Sequence, residues 1–513
     1  MFRKFVIITV FIVFLPSHSF SSNNIPMDNW IYIALDRLFA FNLIETGLRG
    51  TRPYTRVEAA RLVNEAAMNR DRMNPREKAL AEYFLRQLEW EFREELSEHY
   101  KFSKRSPKIY LKPLRDLKIA FNKSHGNSTP YVHINKANQF PLIYNNGGVK
   151  YPEHNNISLE FSTEVKVLKH LSFYFHPLFE YKQNIHNKED KSARFHKIYA
   201  KFNFLNTELE IGRDSLWWGQ GRHGSLILTD NAWPLDMIKI SNPVPFLLPW
   251  YFSYLGPFKY TFFVSELEKD RIVPEVKLGG FRINFKPHPG LEVGLSRVAM
   301  IGGKGRPDIG GNEIFSIIFG ENITNVDEDT SNQIAAIDFR YKVPLQWKVF
   351  DQAELYGEWG GEDEAGGLPT KAAYIIGIYL PKITGDGRTD LLVEYARTHK
   401  LWYSHRIYHS GYSYKSNILG HHMGGDASDI YFQIGRYINK RLRVEFEFDY
   451  EKRGRSLDNP MKIYQYGLNV KYDYWDNLRL LLSYKYGKVD NFNFSSGSDK
   501  KNHLYSLEIN YNF

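Results

Sequence analysis

Cysteine is absent from all 513 residues. Its absence excludes disulfide stapling, thiol catalysis and thiolate metal sites, and also a lipid anchor carried on cysteine. Long apolar runs are scarce. One occupies residues 5–15; the other, NPVPFLLPWYFSYLGPF, is interrupted by four prolines, so no later stretch offers a clean membrane-spanning helix. A mean hydropathy of −0.45 is too polar for a helical membrane protein. Acidic residues are the minority charge, 58 against 67 Lys and Arg, for a net +9. That surplus suits an acidic partner: an anionic polysaccharide, lipid head groups or nucleic acid.

What is present narrows the choice. Arg3 and Lys4 precede the apolar run Phe5 to Leu15, and Pro16 and small residues follow. This is the pattern of a secretory signal peptide, with cleavage expected after Ser19 or Ser21; the run is too short to span a bilayer. Export argues against nucleic acid as partner. Aromatics make up 16% of the chain, with 34 Tyr and 36 Phe. An exported, tyrosine-rich chain that is polar on average leaves one membrane architecture open, the β-barrel.

Residues 28–99 read as helices. TRVEAARLVNEAA opens with Thr55 and carries Glu58 three residues on, a capping box. In NPREKALAEYFLRQLEWEFREEL, Asn74 stands at the cap and Pro75 in the first turn. Its apolar stripe is Leu80, Phe84, Leu88, Phe92 and Leu96. With a helix over DNWIYIALDRLFAFN this predicts a small three-helix unit, and export disfavours a DNA-binding helix-turn-helix.

From about residue 107 the period changes to two. In RVEFEFDYE, Val444, Phe446, Phe448 and Tyr450 share one face, and Arg443, Glu445, Glu447, Asp449 and Glu451 the other. A soluble sandwich alternates too, but strands near ten residues with tyrosines toward their ends favour a transmembrane barrel. Tight links near 169–170, 205–206, 286–290, 344–348, 383–387, 438–440 and 475–477 alternate with longer ones. With a strand at 225–229 and an opening strand near 108–122, the count is about eighteen, with both chain ends in the periplasm. Segments 123–156 and 230–256 are too long and proline-rich for simple connections and are read as folding into the lumen. The last stretch, HLYSLEINYNF, alternates Tyr505, Leu507, Ile509, Tyr511 and Phe513, like the assembly signal of bacterial outer-membrane proteins.

Several motifs carry candidate chemistry. RDSLWWGQGRHGSLIL contains a formal G-x-G-x-x-G at Gly219, Gly221 and Gly224. A dinucleotide-binding turn needs a helix directly after the glycines; here a β-like run and a proline follow, so the fingerprint reads as a coincidence of glycine density. Trp217 and Trp218 point to opposite faces if on a strand, one to the membrane girdle and one to the lumen or a loop. The loop HKLWYSHRIYHSGYSYKSNILGHHMGGDAS interleaves aromatics with cations. Flat rings suit the C–H faces of sugars, and guanidinium and ammonium groups pair with uronate or phosphate. The candidate glycan-binding set is Trp217, Trp218, Arg222, His223, Lys400, Trp402, Tyr403, Arg406 and Tyr408; the bland reading is membrane-edge aromatics and a solvated loop. Neighbouring His421 and His422 with Asp426 give no evident third ligand or nucleophile, so neither metal, cofactor nor catalysis is expected there. EWGGEDEAGGLP, with Glu358, Glu362, Asp363 and Glu364, reads as a polar outer loop rather than a calcium site.

RPYTRVEAARL, GRDSLWWGQGRHGSLILTDNAWPLD, PFLLPWYFSYLGPFKYTFFVSELE, GFRINFKPHPGLEVGLSR, YGEWGGEDEAGGLPTKAAYIIGIYL, EYART and LGHHMGGDAS run in order from about residue 50 to 430. Together they resemble the Wzi family of capsule-assembly outer-membrane proteins. The resemblance implies an eighteen-stranded outer-membrane barrel with a periplasmic helical bundle, lectin-like binding of capsular polysaccharide, and no enzymatic role. The expected division is a signal peptide at 1–21, a periplasmic helical bundle at 22–106 and an all-β transmembrane barrel at 107–513. A monomer in a Gram-negative-type outer membrane is expected. A porin or polysaccharide conduit and an outer-membrane hydrolase are the competing classes.

Overall fold

The computed structural model describes residues 21–100, 109–126, 131–132, 138–139, 142–183, 189–306, 331–345, 352–365 and 368–513. The expected signal peptide, up to residue 20, lies outside them. Eighteen antiparallel strands close into one barrel. They are β1 (Asp116–His125), β2 (His154–Phe161, continued by Thr163–Val167), β3 (Leu171–Gln183), β4 (Glu189–Phe204), β5 (Thr207–Asp214) and β6 (Leu235–Ser241). Then come β7 (Phe258–Glu266), β8 (Lys277–His288), β9 (Leu291–Ile301), β10 (Ser331–Pro344), β11 (Gln352–Ala365) and β12 (Leu368–Leu380). The last third comprises β13 (Thr389–Arg397), β14 (Ala427–Tyr437), β15 (Leu442–Arg453), β16 (Met461–Asp473), β17 (Leu478–Asp490) and β18 (Lys500–Asn512). The last strand seals the wall against the first, with Tyr505 opposite Lys123 and Ile509 opposite Ile119.

The period-two pattern has the polarity of a membrane barrel, inverted relative to a soluble sandwich. On β15, Arg443, Glu445, Asp449 and Glu451 are buried toward the lumen while Phe446 is 42% exposed on the outer wall. Tyr505, Leu507 and Phe513 face outward in the same way. Lumen charges are paired: Arg282 with Asp338 at 2.6 Å, Arg443 with Asp390 at 2.6 Å, and Lys201 with Glu208 at 2.7 Å. Buried charge is tolerated because it is compensated in place.

Short links gather at one end and long connections at the other, as expected. One strand is elsewhere than its sequence suggested. The wall strand is Leu235–Ser241, and 225–229 lies inside the barrel. LDMIKIS alternates, with Ile238 and Ile240 exposed to lipid; SLILT has three consecutive apolar residues, Leu226, Ile227 and Leu228, all buried in the lumen cluster. A wall strand turns one face to lipid, whereas Leu226, Ile227 and Leu228 are at most 2% exposed, so neither face of SLILT does. Within 123–156, residues 142–153 do turn inward: the Gly147 N–H donates to the Asp230 carbonyl at 2.7 Å, and the Asn145 amide to the His223 carbonyl at 2.7 Å. The 230–256 segment goes inward only at its start. Its end carries Trp250 and Tyr251, 84% and 87% exposed at the short-turn rim, where amphipathic rings anchor a protein at head-group level.

Among the described residues four α-helices precede the barrel: α1 (Trp30–Ala40), α2 (Arg56–Met68), α3 (Lys78–Glu91) and α4 (Arg93–Tyr100). The expected third helix is thus broken at Phe92. Thr55 caps α2, its hydroxyl accepting from the Glu58 N–H at 3.1 Å. The helical unit packs on the short-turn end: the Tyr83 hydroxyl donates to Asp473 at 2.6 Å, Lys382 pairs with Glu77 at 3.2 Å, and Arg37 with Asp390 at 3.3 Å.

Candidate functional site

Between β5 and β6 the chain leaves the wall and turns back into the lumen. Thr51 and Arg52, rising from the helical unit, pair with Trp218 and Trp217, and the Gly219 N–H donates to the Gly50 carbonyl at 2.9 Å. The lumen is therefore crossed by a stopper built from both ends of the molecule. Two wall carboxylates hold it. Glu358 on β11 accepts from the N–H groups of Gly221 and Leu226 at 2.7 and 2.8 Å and from the Ser225 hydroxyl at 3.1 Å. Glu394 on β13 accepts from the N–H groups of Arg222, His223 and Gly224 at 2.7, 3.2 and 3.2 Å, and from the Tyr356 hydroxyl at 2.6 Å.

The glycine fingerprint is therefore no coincidence, but its N–H groups are taken by wall carboxylates rather than turned toward a phosphate. A Cβ on Gly221 would run into the Gly224 carbonyl, and one on Gly224 into the His421 ring. Only bare backbone lets so many N–H groups converge on the wall carboxylates. The acidic stretch read as an outer loop also belongs to this system. Glu358 and Glu362 are inward residues of β11, 3% and 1% exposed, and Glu362 accepts from the Tyr403 N–H at 2.8 Å.

Arg222 extends from the stopper toward the helices. Its guanidinium lies 3.0 Å from Asp36 on α1 and 3.8 Å above the Tyr379 ring, and Asp36 also receives Arg49 at 2.8 Å. Burial opposes the Asp36 charge, but the Arg222 and Arg49 guanidiniums outweigh it and hold the carboxyl well below the usual carboxylate range. Burial also pushes the Asp230 carboxyl, at the stopper's far end, up to about 6 against the pull of Lys197.

Over the opposite side of the stopper lies the 399–426 loop. Its aromatics turn down rather than out. Trp402, Tyr403, Tyr408 and Tyr412 are at most 1% exposed. Their hydroxyls donate to backbone carbonyls: Tyr403 to Leu226 at 2.6 Å, Tyr408 to Gly302 at 3.2 Å, and Tyr412 to Ile227 at 3.0 Å. The Asp426 carboxylate accepts from the Ser456 N–H at 2.9 Å and hydroxyl at 2.6 Å, joining this loop to the next. Lys400, Arg406, His409 and Lys415 remain exposed on its outer surface. Among the described residues neither Lys400 nor Arg406 has a carboxylate within ion-pair distance.

The nine candidate residues thus fall into three groups. Trp217, Trp218, Arg222 and His223 are in the stopper, and neither tryptophan sits in the membrane girdle. Trp402, Tyr403 and Tyr408 form an aromatic floor beneath the loop. Lys400 and Arg406 stand on the outer face. Of the two wall carboxylates, Glu358 falls in the stretch assigned to an outer loop and Glu394 is overlooked in the sequence. The signal for Glu358 is the two-residue phase of Glu354, Tyr356, Glu358 and Glu362, which puts these four on one face of a strand.

A closed barrel with an apolar wall, a polar lumen stoppered by its own loops, and a helical unit on the short-turn side defines an outer-membrane β-barrel. Residues 123–504 match the family described as capsule assembly protein Wzi. The chain belongs to that family. It is similar to Wzi of Escherichia coli, described as an outer-membrane protein involved in group 1 capsule assembly and a carbohydrate-binding β-barrel, with a TM-score of 0.68 and 22% identity over 97% of this chain and 100% of that one. It is also 34% identical over 185 residues to an uncharacterized 55.8 kDa protein in the cps region of Klebsiella pneumoniae. That match spans 35% of either chain.

Proposed function

We propose that the protein binds capsular or other acidic surface polysaccharide at its outer face and helps anchor it at the cell surface, without catalysis. The observation that carries this reading is the outer loop: exposed Lys400 and Arg406 stand on a rigid aromatic floor, above a lumen filled by the stopper. Cations without local partners pair with uronate or phosphate groups, and the long-connection end is the extracellular one. The filled lumen opposes a conduit. The hydrogen-bonded state of Asp426 and of the loop tyrosines suits a structural role for them rather than an acid–base one. In this reading residues 1–21 direct export, 22–106 form the periplasmic unit and 107–513 the barrel, and the protein acts as a monomer. The contact passes through Lys400 and Arg406; Trp402, Tyr403 and Tyr408 hold the loop, and Trp217, Trp218, Arg222 and His223 hold the stopper.

Single sugar contacts are weak, so retention arises from many repeat units meeting many copies. Lys400→Ala with Arg406→Ala should lower retention of acidic polysaccharide on cells without lowering barrel abundance. Purified protein should bind the native polymer less as salt rises, because exposed charge pairs are screened. Normal retention in the double variant, together with salt-independent binding, would refute the assignment.

A further inference from the structure

His223 from the stopper and His422 from the outer loop meet Asp429 of β14 and Asp449 of β15 inside the barrel. One ligand atom from each lies within 4.8 Å of every other. His223 Nε2 is 3.5 Å from an Asp429 oxygen and 3.5 Å from an Asp449 oxygen, and His422 Nε2 is 3.4 Å from Asp429. Zinc bonds to nitrogen and oxygen of about 2.0–2.1 Å give tetrahedral edges of roughly 3.3–3.4 Å. The three measured edges are close to that figure. The four side chains are 0–5% exposed. His223 Nε2, both Asp429 oxygens and one Asp449 oxygen are buried without a hydrogen-bond partner.

The surroundings are those of a built site. The Tyr431 ring stacks on His223 at 3.8 Å, and Tyr144 stacks on His422 at 4.5 Å, so both imidazoles are clamped. Gln465 donates to the Asp449 carboxylate at 2.7 Å, the kind of outer hydrogen bond that orients a ligating group. Among the described residues, Asp429 and Asp449 meet no lysine or arginine within ion-pair distance; their ion-pair contacts are with histidines. Two buried carboxylates so placed favour a cation between them. The Glu160–His176–His196 cluster is a useful contrast: there His176 is already hydrogen-bonded to Glu160 at 2.9 Å and Lys118 lies 3.6 Å away.

We propose that His223, His422, Asp429 and Asp449 bind a divalent transition-metal ion, zinc by its ligand set, in a closed structural site. Two imidazoles with two carboxylates suit zinc better than magnesium or calcium, which prefer all-oxygen shells. With all four positions supplied by protein, the ion would be structural rather than catalytic. It would tie the stopper and the outer loop to the barrel wall, a task that disulfides cannot perform in a chain without cysteine.

The test uses the full mature protein purified from outer membranes in detergent. After incubation with Zn²⁺ and exhaustive dialysis, metal analysis should find about one zinc per chain, retained against millimolar Mg²⁺ and Ca²⁺. Asp429→Asn with Asp449→Asn should reduce it to background, and His176→Ala with His196→Ala should not. Heat-modifiable migration on gels verifies that each variant keeps its barrel. A second readout needs no variant: removing the metal by chelation should speed tryptic cleavage at Lys400 and Arg406, and zinc alone should reverse this. Absence of zinc from the wild-type protein, displacement by magnesium or calcium, or equal zinc in the Asp429/Asp449 variant would overturn the proposal.

Discussion

Replacing Glu394 by alanine should free the stopper while sparing the barrel. The carboxylate is 2% exposed and accepts from four donors. Two bonds are short, from the Arg222 N–H at 2.7 Å and the Tyr356 hydroxyl at 2.6 Å, and two are longer, from His223 and Gly224 at 3.2 Å. A buried donor left without an acceptor costs about 1–3 kcal/mol. Counting the two short bonds in full and the longer pair at about half gives roughly 3–9 kcal/mol. Glu358 still holds Gly221 and Leu226, and no strand pairing is lost, so the cost falls on residues 222–224 and the Tyr356 hydroxyl. Trypsin reads this directly, because Arg222 is a cleavage site enclosed in the lumen. The variant should be cut there under conditions that spare the wild type, its conductance in planar bilayers should rise, and its heat-modifiable migration should be unchanged. Glu394→Gln keeps one acceptor oxygen and should lie between the two. If Glu394→Ala resists trypsin at Arg222 and conducts no more than the wild type, the carboxylates are not what holds the stopper.

Phe446→Arg, on the lipid face of β15, should cost about 2–4 kcal/mol at bilayer depth, measured as a lower yield of heat-modifiable barrel in refolding. Gly221→Ala should destabilise the stopper by about 1–3 kcal/mol through the clash with the Gly224 carbonyl, seen as tryptic cleavage at Arg222 with normal barrel yield. Asp36→Asn removes the shared partner of Arg222 and Arg49 and should loosen the contact between helices and stopper, shown by faster hydrogen exchange over residues 43–55. The pH sign follows from its depressed carboxyl: the Asp36 contribution is complete above the unfolded value of about 4 and is lost as pH falls through the folded one, so acid should reproduce the exchange of the variant and alkali should not.

The barrel was legible because its signal is repeated in almost every strand and because turn length alternates with it. RVEFEFDYE and HLYSLEINYNF each announce a wall strand with one lipid face and one lumen face. The failures share a cause. SLILT looks like a strand by composition, but its burial is decided by a cavity that exists only once the barrel has closed. The loop aromatics were read as outward-facing because loops usually are; Trp402 and Tyr403 turn inward because the stopper offers them an apolar bed and backbone carbonyls for the tyrosine hydroxyl. His223 and His422 are about two hundred residues apart, and Asp429 and Asp449 are on neighbouring strands, so no local spacing reveals the cluster.

The glycine fingerprint shows how a motif can mislead about ligand while remaining correct about chemistry. In a dinucleotide-binding turn, glycines let backbone N–H groups approach a pyrophosphate, and the following helix adds its positive end. Here the helix is missing but the first half of the device is intact. Five consecutive backbone N–H groups are not required; those of Gly221 and Leu226 reach Glu358, while those of Arg222, His223 and Gly224 reach Glu394. The anion is the protein's own wall. A barrel lumen lined with carboxylates is a strong field for any segment that enters it, and a glycine-rich turn is the backbone's means of answering that field with many weak donors at once. The Arg222 side chain is left free to continue through the lumen and meet Asp36 on the far side. The same sixteen residues thereby connect a loop of the long-connection end, the barrel wall and the helices at the short-turn end, which explains why a fingerprint for nucleotide binding appears in a protein whose lumen is closed by it.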